Sequence, residues 1–496
     1  MVKRRVISLF ICMGLLFSGC APEDSGQKRT DTELVSMNPS PDLSYEVPVS
    51  VPHILVDQVG YPSFGEKTAI FTGSTLPETF EVVAAESGEV VFSGKIKERE
   101  QENAAGEALG YGDFSDLTES GTYYIRSSIL GRSYEFLIAE DVYDGIFEEA
   151  VGRLAKTRDK KLNVILPTEN GETAEKIIQG GWVTDEAGNQ DLLLSAEVMM
   201  AVLTAYELYP DSFAGEEAAE VPALLANLQR QTEWMLALQD EKSGGVYGGI
   251  VAESDTTIPT YRAKEMSEEA SACFAAALAK FSYTYKKYDQ TYAAQCLKAA
   301  DRAWKYINRQ KNTNDPARKA APDEVLFAAA AELYRASGQQ IYHLSVKQSL
   351  ASGVNPGESV WDTYASVTYL TTRHAVSVTD CEAIMKQLMG CAEEISARAR
   401  ASAYLTEGNA EYTNTKELLW NMVILSVADY VITNHEYATV IENHQHYFLG
   451  CNREGICLVQ EKGCDSIRPV EQDISKDLQM NAYYICMLSQ MMKTEE

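Results

Sequence analysis

Positive charge is scarce in this chain of 496 residues. It carries 43 Lys and Arg against 72 Asp and Glu, which gives a formal net charge of −29 at pH 7. Proteins that bind nucleic acid need clustered basic side chains to neutralise phosphates, so this balance argues against a nucleic-acid partner. The acidic excess instead fits a well-hydrated surface and a neutral or cationic ligand.

Long hydrophobic runs are also missing beyond the N-terminus. A transmembrane helix needs about 20 consecutive apolar residues, and no later segment has such a run. The overall composition, with 45% hydrophobic and 23% charged residues, is nevertheless that of a globular protein. A domain usually takes about 100–200 residues, so the length predicts two or three domains.

The N-terminus has the pattern of an export signal. Lys3, Arg4 and Arg5 precede an apolar run over 6–17 that is too short for a permanent membrane helix. The run ends in Phe-Ser-Gly-Cys, which resembles a bacterial lipobox, and an ordinary secretory signal with a chance cysteine is the alternative. We therefore predict a signal peptide over 1–19, lipidation of Cys20 and an extracytoplasmic protein anchored to the cell membrane.

A polar stretch and then short β-like segments follow the signal. Residues 20–52 are rich in Ser, Pro, Asp and Glu and are predicted to be a flexible tether. Residues 53–140 alternate strand-like runs with glycine turns, which predicts a β-sandwich. The strand-like runs are 68–72, 81–84, 90–92 and 122–126.

The spacing of apolar residues changes to a helical period after Asp141. Eight segments are rich in Ala and Leu at this spacing: 192–209, 221–239, 268–285, 291–309, 323–337, 380–399, 417–433 and 480–492. With the segments between them, they predict ten to twelve helices and almost no strand over 141–496. So many helices without a fixed-period repeat favour a closed α/α barrel over a solenoid.

Cysteine and histidine show no recognisable metal-binding pattern. Three cysteines lie in apolar helical stripes and are predicted to be small core residues: Cys273, Cys296 and Cys486. Cys451, Cys457 and Cys464 are close together, but no His or Cys stands at a zinc-like spacing from them. His444 and His446 would point to different faces of a helix and are predicted to be structural or surface groups. We therefore predict neither a metal nor another cofactor.

Short motifs follow one another in a recognisable order. The β-rich region begins with Val-Asp-Gln-Val-Gly-Tyr-Pro at 56–62, and Gly-Gly-Trp at 180–182 precedes the first long helical segment. Further motifs along the chain are Leu-Ala-Leu-Gln at 236–239, Gly-Gly-Val-Tyr at 244–247, Leu-Gly-Cys-Asn at 449–452 and Asn-Ala at 481–482. This ordered series resembles glycoside hydrolase family nine, the cellulase family with an N-terminal Ig-like domain.

The resemblance implies both a fold and an activity. Residues 53–140 would form the Ig-like β-sandwich and residues 141–496 an (α/α)6 barrel. The activity implied is hydrolysis of β-1,4-glucan or a related β-glycan in polysaccharide degradation, without a cofactor. The implied partner is an oligo- or polysaccharide.

The family's mechanism needs a carboxylic acid and a carboxylate base, which in inverting enzymes lie about 6.5–9.5 Å apart. The family takes its base from an Asp-Ala-Gly-Asp loop after the Gly-Gly-Trp and its acid from a Glu six residues before the closing Asn-Ala. The corresponding residues here are Asn189 and Ser475, which cannot fill those roles. The helices therefore match the family while the loops differ, as in a fold kept with a changed or lost activity.

Nearby carboxylates are candidates to replace the missing pair. Asp185, Glu186 and Asp191 lie in the loop after Trp182, which is longer by two residues than the family's loop. The candidates near the acid position are Glu471, Asp473 and Asp477. A structural interpretation stays open for both sets: the first can complement a helix dipole, with Asp191 as the N-cap, and the second can form a solvated turn and helix start.

Substrate contacts are predicted at several further residues. Trp182 belongs to the Gly-Gly-Trp motif, and Arg468 is what this chain keeps of the family's Pro-His-His-Arg. Tyr247, Trp361 and Tyr364 can stack on sugar rings, although aromatic residues of helical proteins are more often core. Two other functions stay open: a glycan-binding lipoprotein without hydrolysis, and an envelope protein that only presents surfaces.

Overall fold

The computed structural model describes residues 51–102, 107–167, 172–214, 221–253, 260–313, 318–407, 414–459 and 473–492. The predicted signal peptide, Cys20, nearly all of the predicted tether, Cys464, Arg468 and Glu471 lie outside these residues. None of the helices within the described ranges is long and apolar enough to cross a membrane.

Among the residues that the structure describes, eight strands form the predicted β-sandwich. They are β1 (Ile54–Leu55), β2 (Gly60–Pro62), β3 (Thr68–Gly73), β4 (Thr79–Ala84), β5 (Val90–Glu102), β6 (Ala108–Asp113), β7 (Gly121–Ser127) and β8 (Gly131–Ala139). The strand order is β1-β3-β6-β5-β4-β7-β8-β2. The long β5 belongs to both layers, because its first half pairs with β4 and its second half with β6. Alternate residues of β7 and β8 point inward, so Ile125 and Phe136 lie in the core.

The opening motif of the sandwich serves the contact with the helical domain. Asp57 Oδ1 accepts hydrogen bonds from the backbone N–H groups of Val59 and Gly60 at 3.0 and 2.9 Å. Asp57 Oδ2 accepts the Tyr143 hydroxyl at 2.8 Å and lies 3.1 Å from His446 Nδ1. Both Asp57 and His446 are buried, and buried polar groups need hydrogen-bond partners of this kind. The motif therefore fastens the two domains together through a buried polar cluster.

Twelve α-helices form the second domain within the described residues. They are α1 (Asp144–Arg153), α2 (Leu192–Leu208), α3 (Ala223–Ala237), α4 (Glu268–Tyr285), α5 (Gln290–Lys311), α6 (Asp323–Ser337), α7 (Gln340–Ser352), α8 (Val360–Thr371), α9 (Val378–Ala401), α10 (Thr415–Ile432), α11 (His435–Phe448) and α12 (Leu478–Met491). Eight match the predicted segments closely, α7, α8 and α11 fall between those segments, and α1 precedes the first of them.

The even-numbered helices form an inner ring. Each packs against its neighbours in the order α10-α12-α2-α4-α6-α8, and Tyr364 of α8 closes the ring against Trp420 of α10 with ring centroids 5.7 Å apart. Helix α4 is buried over nearly all of its surface, whereas the outer α5 buries only one face. A helix that is apolar all round belongs in an interior. The predicted (α/α)6 barrel is confirmed.

The inner helices are parallel. Lys416, Gln479 and Glu197, near the starts of α10, α12 and α2, contact one another. Lys280 and Glu332, near the ends of α4 and α6, meet in the same way with a separation of 3.1 Å. We call the end formed by the first turns of the six inner helices the barrel mouth.

The prediction of almost no strand after residue 141 was wrong. Seven short strands occur in the described part of the second domain: β9 (Leu162–Pro167), β10 (Thr173–Ile178), β11 (Gln190–Asp191), β12 (Val246–Tyr247), β13 (Gly249–Glu253), β14 (Thr260–Ala263) and β15 (Met266–Ser267). Five form a sheet in the order β10-β9-β14-β13-β11 beside the mouth. The strands are two to six residues long, and tertiary pairing rather than local periodicity creates them.

Candidate functional site

The loop between Trp182 and α2 holds the residue aligned with the family's base. Asn189 donates from its backbone N–H and its Nδ2 to the two Asp185 carboxylate oxygens, at 2.9 and 2.7 Å. Asn189 Oδ1 accepts the Ala252 N–H at 2.9 Å, which ties the loop to β13. Both polar atoms of the Asn189 side chain are therefore used to hold the loop.

The three carboxylates of this loop have different surroundings. The backbone N–H and side chain of Asn189 hold the pKa of the exposed Asp185 below its usual value. Asp191 Oδ1 caps α2 by accepting the Leu194 N–H at 3.0 Å, and Oδ2 pairs with Lys264. Glu186 is exposed to solvent. The structure thus places Asp191 at the helix N-cap, which was the structural alternative.

The carboxylates near the position of the family's acid also accept hydrogen bonds from backbone N–H groups. Asp473 is buried, accepts the Ser475 backbone N–H at 2.9 Å and Ser475 Oγ, and lies 3.2 Å from Lys476 Nζ. Asp477 caps α12 by accepting the N–H groups of Gln479 and Met480 at 2.9 and 2.8 Å. These two groups form the turn and helix start that the alternative interpretation predicted.

Three of the predicted sugar-binding aromatics belong to the core instead. Trp182 is 1% exposed and donates from Nε1 to the Leu154 carbonyl at 2.8 Å. Tyr364 is fully buried, and Tyr247 is 4% exposed with its hydroxyl donating to Pro167 at 3.1 Å. A stacking platform needs an accessible ring face, so these predictions are corrected. Trp361, in the first turn of α8, is half-buried, so part of its surface stays accessible.

A carboxylate that the sequence analysis did not name lies inside the mouth. Glu197, on the second turn of α2, is half-buried. Its Oε1 accepts hydrogen bonds from the Tyr483 hydroxyl at 2.5 Å and from Gln479 Nε2. Gln479 Oε1 in turn accepts Lys416 Nζ at 2.9 Å. This chain of contacts links α2, α10 and α12 at the centre of the site.

The sequence does contain a signal for Glu197. Only two charged residues, Glu197 and Glu207, interrupt the apolar run of α2. A charged side chain in a helix that is apolar all round must have a buried partner or face a cavity, so such a residue is a candidate for a functional site.

The rim of the mouth carries further acidic groups. Glu269 and Glu324 begin α4 and α6 and are half-buried. Asp362 on α8 accepts the Asn355 N–H at 2.8 Å, and burial raises the pKa of its carboxyl. Within the described ranges, no group of three or more His, Cys, Asp and Glu side chains is arranged to hold a metal ion.

Comparison with known families decides what this fold is. Residues 155–482 match the model of glycosyl hydrolase family 9, and residues 50–131 match that of the cellulase N-terminal ig-like domain. The chain belongs to glycosyl hydrolase family 9. The resemblance predicted from the ordered motifs is therefore confirmed.

The most similar family 9 relatives include several glucanases. Endoglucanase D of Acetivibrio thermocellus is 23% identical over 508 residues, which cover 91% of this chain and 75% of that protein. The xyloglucan-specific endo-beta-1,4-glucanase BoGH9A of Bacteroides ovatus is 24% identical, with 83% and 81% covered. Both relatives are endo-acting glucanases by name, and the membership of family 9 supports a glycoside hydrolase-like protein.

Solved family 9 structures share the fold. A metagenome-derived family 9 endoglucanase superposes with a TM-score of 0.74 at 19% identity, covering 89% of this chain and 99% of that one. A family 9 structure from Bacteroides ovatus gives a TM-score of 0.73 at 20% identity, with 89% and 98% covered. The sandwich and barrel are thus those of family 9.

Proposed function

We propose that this family 9 protein binds a β-linked glycan in the barrel mouth and does not hydrolyse it by the family's inverting route. Two features carry the proposal. The ordered motifs align Asn189 with the base position and Ser475 with the acid position. In the structure both side chains hydrogen-bond to neighbouring carboxylates. Inverting hydrolysis needs two carboxyl groups that can exchange protons with water and the glycosidic oxygen.

Several features support binding at the mouth. Trp361 offers an apolar ring surface there, and Lys416, 40% exposed in its side chain, offers a charged donor. Glu197 adds an acceptor at the centre of the mouth. A few polar groups beside an aromatic surface are the usual composition of a small-molecule site. The glucanase relatives suggest that the ligand is a β-1,4-linked glucan or a related β-glycan.

Hydrolysis through a displaced carboxylate is the second candidate. Glu197 favours it, because Oε2 of this half-buried side chain accepts no hydrogen bond from any described residue. An oxygen left open in this way can take a proton from water. In that case the Glu197→Gln variant would lose all turnover while it still bound oligosaccharide.

We also infer that the protein is held at the outer face of the cell membrane through lipid on Cys20. The lipobox-like sequence before this cysteine supports the inference. Labelling cells with radioactive palmitate should mark the wild-type protein, and a Cys20→Ala variant that is still labelled would contradict lipidation at this position.

Removing the ring of Trp361 tests where the glycan binds. We expect Trp361→Ala to weaken binding of cellohexaose by about 5- to 10-fold, because one aromatic contact contributes about 1 kcal/mol. Isothermal titration calorimetry gives the affinity. Phe64→Ala is the matched control, since Phe64 is a 72% exposed aromatic residue of the sandwich. Equal affinities of the two variants would place the binding site elsewhere.

A further inference from the structure

A polar cavity opens at the rim of the mouth, between the ends of two outer helices and the starts of two inner ones. Its volume is about 340 Å³. The last turns of α5 and α7 contribute Lys311 and Ser352 to its wall, and the first turns of α6 and α8 contribute Glu324 and Asp362. Because first turns of inner helices define the mouth, this cavity is a side chamber of the mouth. Asp362 directly follows Trp361 on α8.

The wall contains hydrogen-bonding groups that lack partners. Trp304 is 4% exposed, and its Nε1 donates to no described residue. Asp362 is 6% exposed and uses Oδ2 for the Asn355 N–H, while its Oδ1 accepts from no described residue. A buried polar group without a partner is costly, so Trp304 Nε1 favours a ligand that accepts its hydrogen bond, and Asp362 Oδ1 can accept a further one.

The chemistry of the wall selects a neutral polyhydroxyl ligand. Carboxylates of Asp323, Glu324 and Asp362 accept hydrogen bonds, and Lys311 and Gln348 donate them. Three carboxylates against one lysine disfavour a phosphate or a uronic acid. A metal ion is disfavoured as well, since the described residues contain no suitable group of metal ligands.

The size of the cavity indicates which part of a glycan it can hold: a single branch sugar rather than the main chain of the polysaccharide. Small-molecule pockets usually span about 300–1,000 Å³, so this chamber is at the small end and suits one sugar residue. We propose that it binds the side-chain sugar of a branched β-glycan whose backbone lies in the mouth along Trp361. This inference rests on the proposed function and narrows the ligand to branched β-glycans.

Two oligosaccharides with the same backbone test the proposal. Cellotetraose and the xyloglucan heptasaccharide both have four β-1,4-linked glucoses, and only the second carries xylose branches. The wild-type protein should bind the heptasaccharide about tenfold more tightly, as expected for one or two additional net hydrogen bonds. Isothermal titration calorimetry on the full mature chain measures both affinities.

A variant that fills the cavity tests whether the preference for the branched oligosaccharide arises there. Ser349 lies on α7 and lines the chamber. Ser349→Phe should therefore bind the two oligosaccharides with about equal affinity, while its affinity for cellotetraose stays that of the wild type. Lys347→Phe is the control, because this exposed residue of the same helix does not line the chamber. Thermal melts check that both variants fold.

The outcomes separate this inference from the proposed function. Equal or weaker wild-type binding of the heptasaccharide would overturn the branch site and leave glycan binding intact. A preference that survives in Ser349→Phe would likewise overturn the assignment to this chamber. Failure of the wild type to bind either sugar would overturn the proposed function itself, and the branch site with it.

Discussion

Replacing Lys280 with Met will lower the free energy of unfolding by about 3–5 kcal/mol, the usual cost of removing one partner from a buried ion pair. The Lys280 side chain is fully buried, and its Nζ lies 2.8 Å from Glu207 Oε2 and 3.1 Å from Glu332 Oε1. Arg335 contacts both carboxylates as well. Without Lys280, the buried Glu332 and the largely buried Glu207 would share one arginine.

The pKa of Glu207 shows how strongly the two neighbouring cations stabilise its charged form. Burial alone would raise its pKa, but Arg335 and Lys280 outweigh burial and lower the pKa to about 2. Loss of one cation would remove part of that stabilisation of the charged form. The energetic cost therefore comes from the carboxylate left behind, not only from the missing methylene packing.

Urea unfolding at pH 7 followed by far-UV circular dichroism measures the effect. Lys305→Met is the matched control, because Lys305 pairs with Asp301 on the surface with 63% of its side chain exposed. Exposed pairs contribute about 0–1 kcal/mol, so this control should lie near the wild type. A loss below 1 kcal/mol for Lys280→Met would contradict the assigned role of the network.

The second large effect is a loss of stability in mild acid through His444. This side chain is fully buried, its Nδ1 lies 2.8 Å from the Val440 carbonyl, and its Nε2 accepts the Glu407 N–H at 3.1 Å. That arrangement requires a neutral ring with its proton on Nδ1. Burial accordingly lowers the pKa of His444 from 6.5 to about 4.

The sign of the pH effect follows from that shift. Between pH 6.5 and pH 4 the unfolded chain takes up a proton at this histidine while the folded chain resists it. Stability from His444 is thus fully present above pH 6.5 and falls by about 3 kcal/mol as the pH approaches 4.

Urea titrations of the wild type and His444→Gln at pH 7 and pH 4 isolate this contribution. The variant cannot titrate at this position, so its stability should fall by about 3 kcal/mol less than that of the wild type over the same interval. His435→Gln is the control, since His435 is exposed on α11 and should leave the wild-type dependence in place. Equal pH dependence of all three proteins would rule out His444 as the sensitive group.

The inner helices could be predicted from the sequence because their signal is local. Helix α4 was predicted at 268–285, the bounds that it has, since apolar residues and strong helix formers fill it throughout. Helix α7 was not among the predicted segments, because Ile341 and Leu344 are apolar but exposed, so apolar residues are not confined to one face of the helix. The strands beside the mouth escaped because pairing partners such as β14 and β9 are far apart in sequence.

The candidate site was less accessible to sequence reasoning because side-chain partners decide it. The ordered motifs aligned Asn189 with the base position, but its contact with Ala252 lies 63 residues away and no local pattern encodes it. Trp182 was predicted to contact substrate, yet its indole lies in the core, where Nε1 donates a hydrogen bond to the Leu154 carbonyl. Glu197 was overlooked because it belongs to a helix rather than to the motif loops.

Product release from cellohexaose by the mature wild-type protein would show whether the barrel mouth hydrolyses the glycan that it binds. The assay is run beside the variant in which Asp185, Glu186 and Asp191 are all replaced by Ala and beside Glu197→Gln, with binding measured in parallel. We expect the wild type to bind the oligosaccharide and to release no product above the background of the triple variant. Wild-type turnover that either variant abolishes would contradict it, and would show that the altered mouth has kept a working carboxylate.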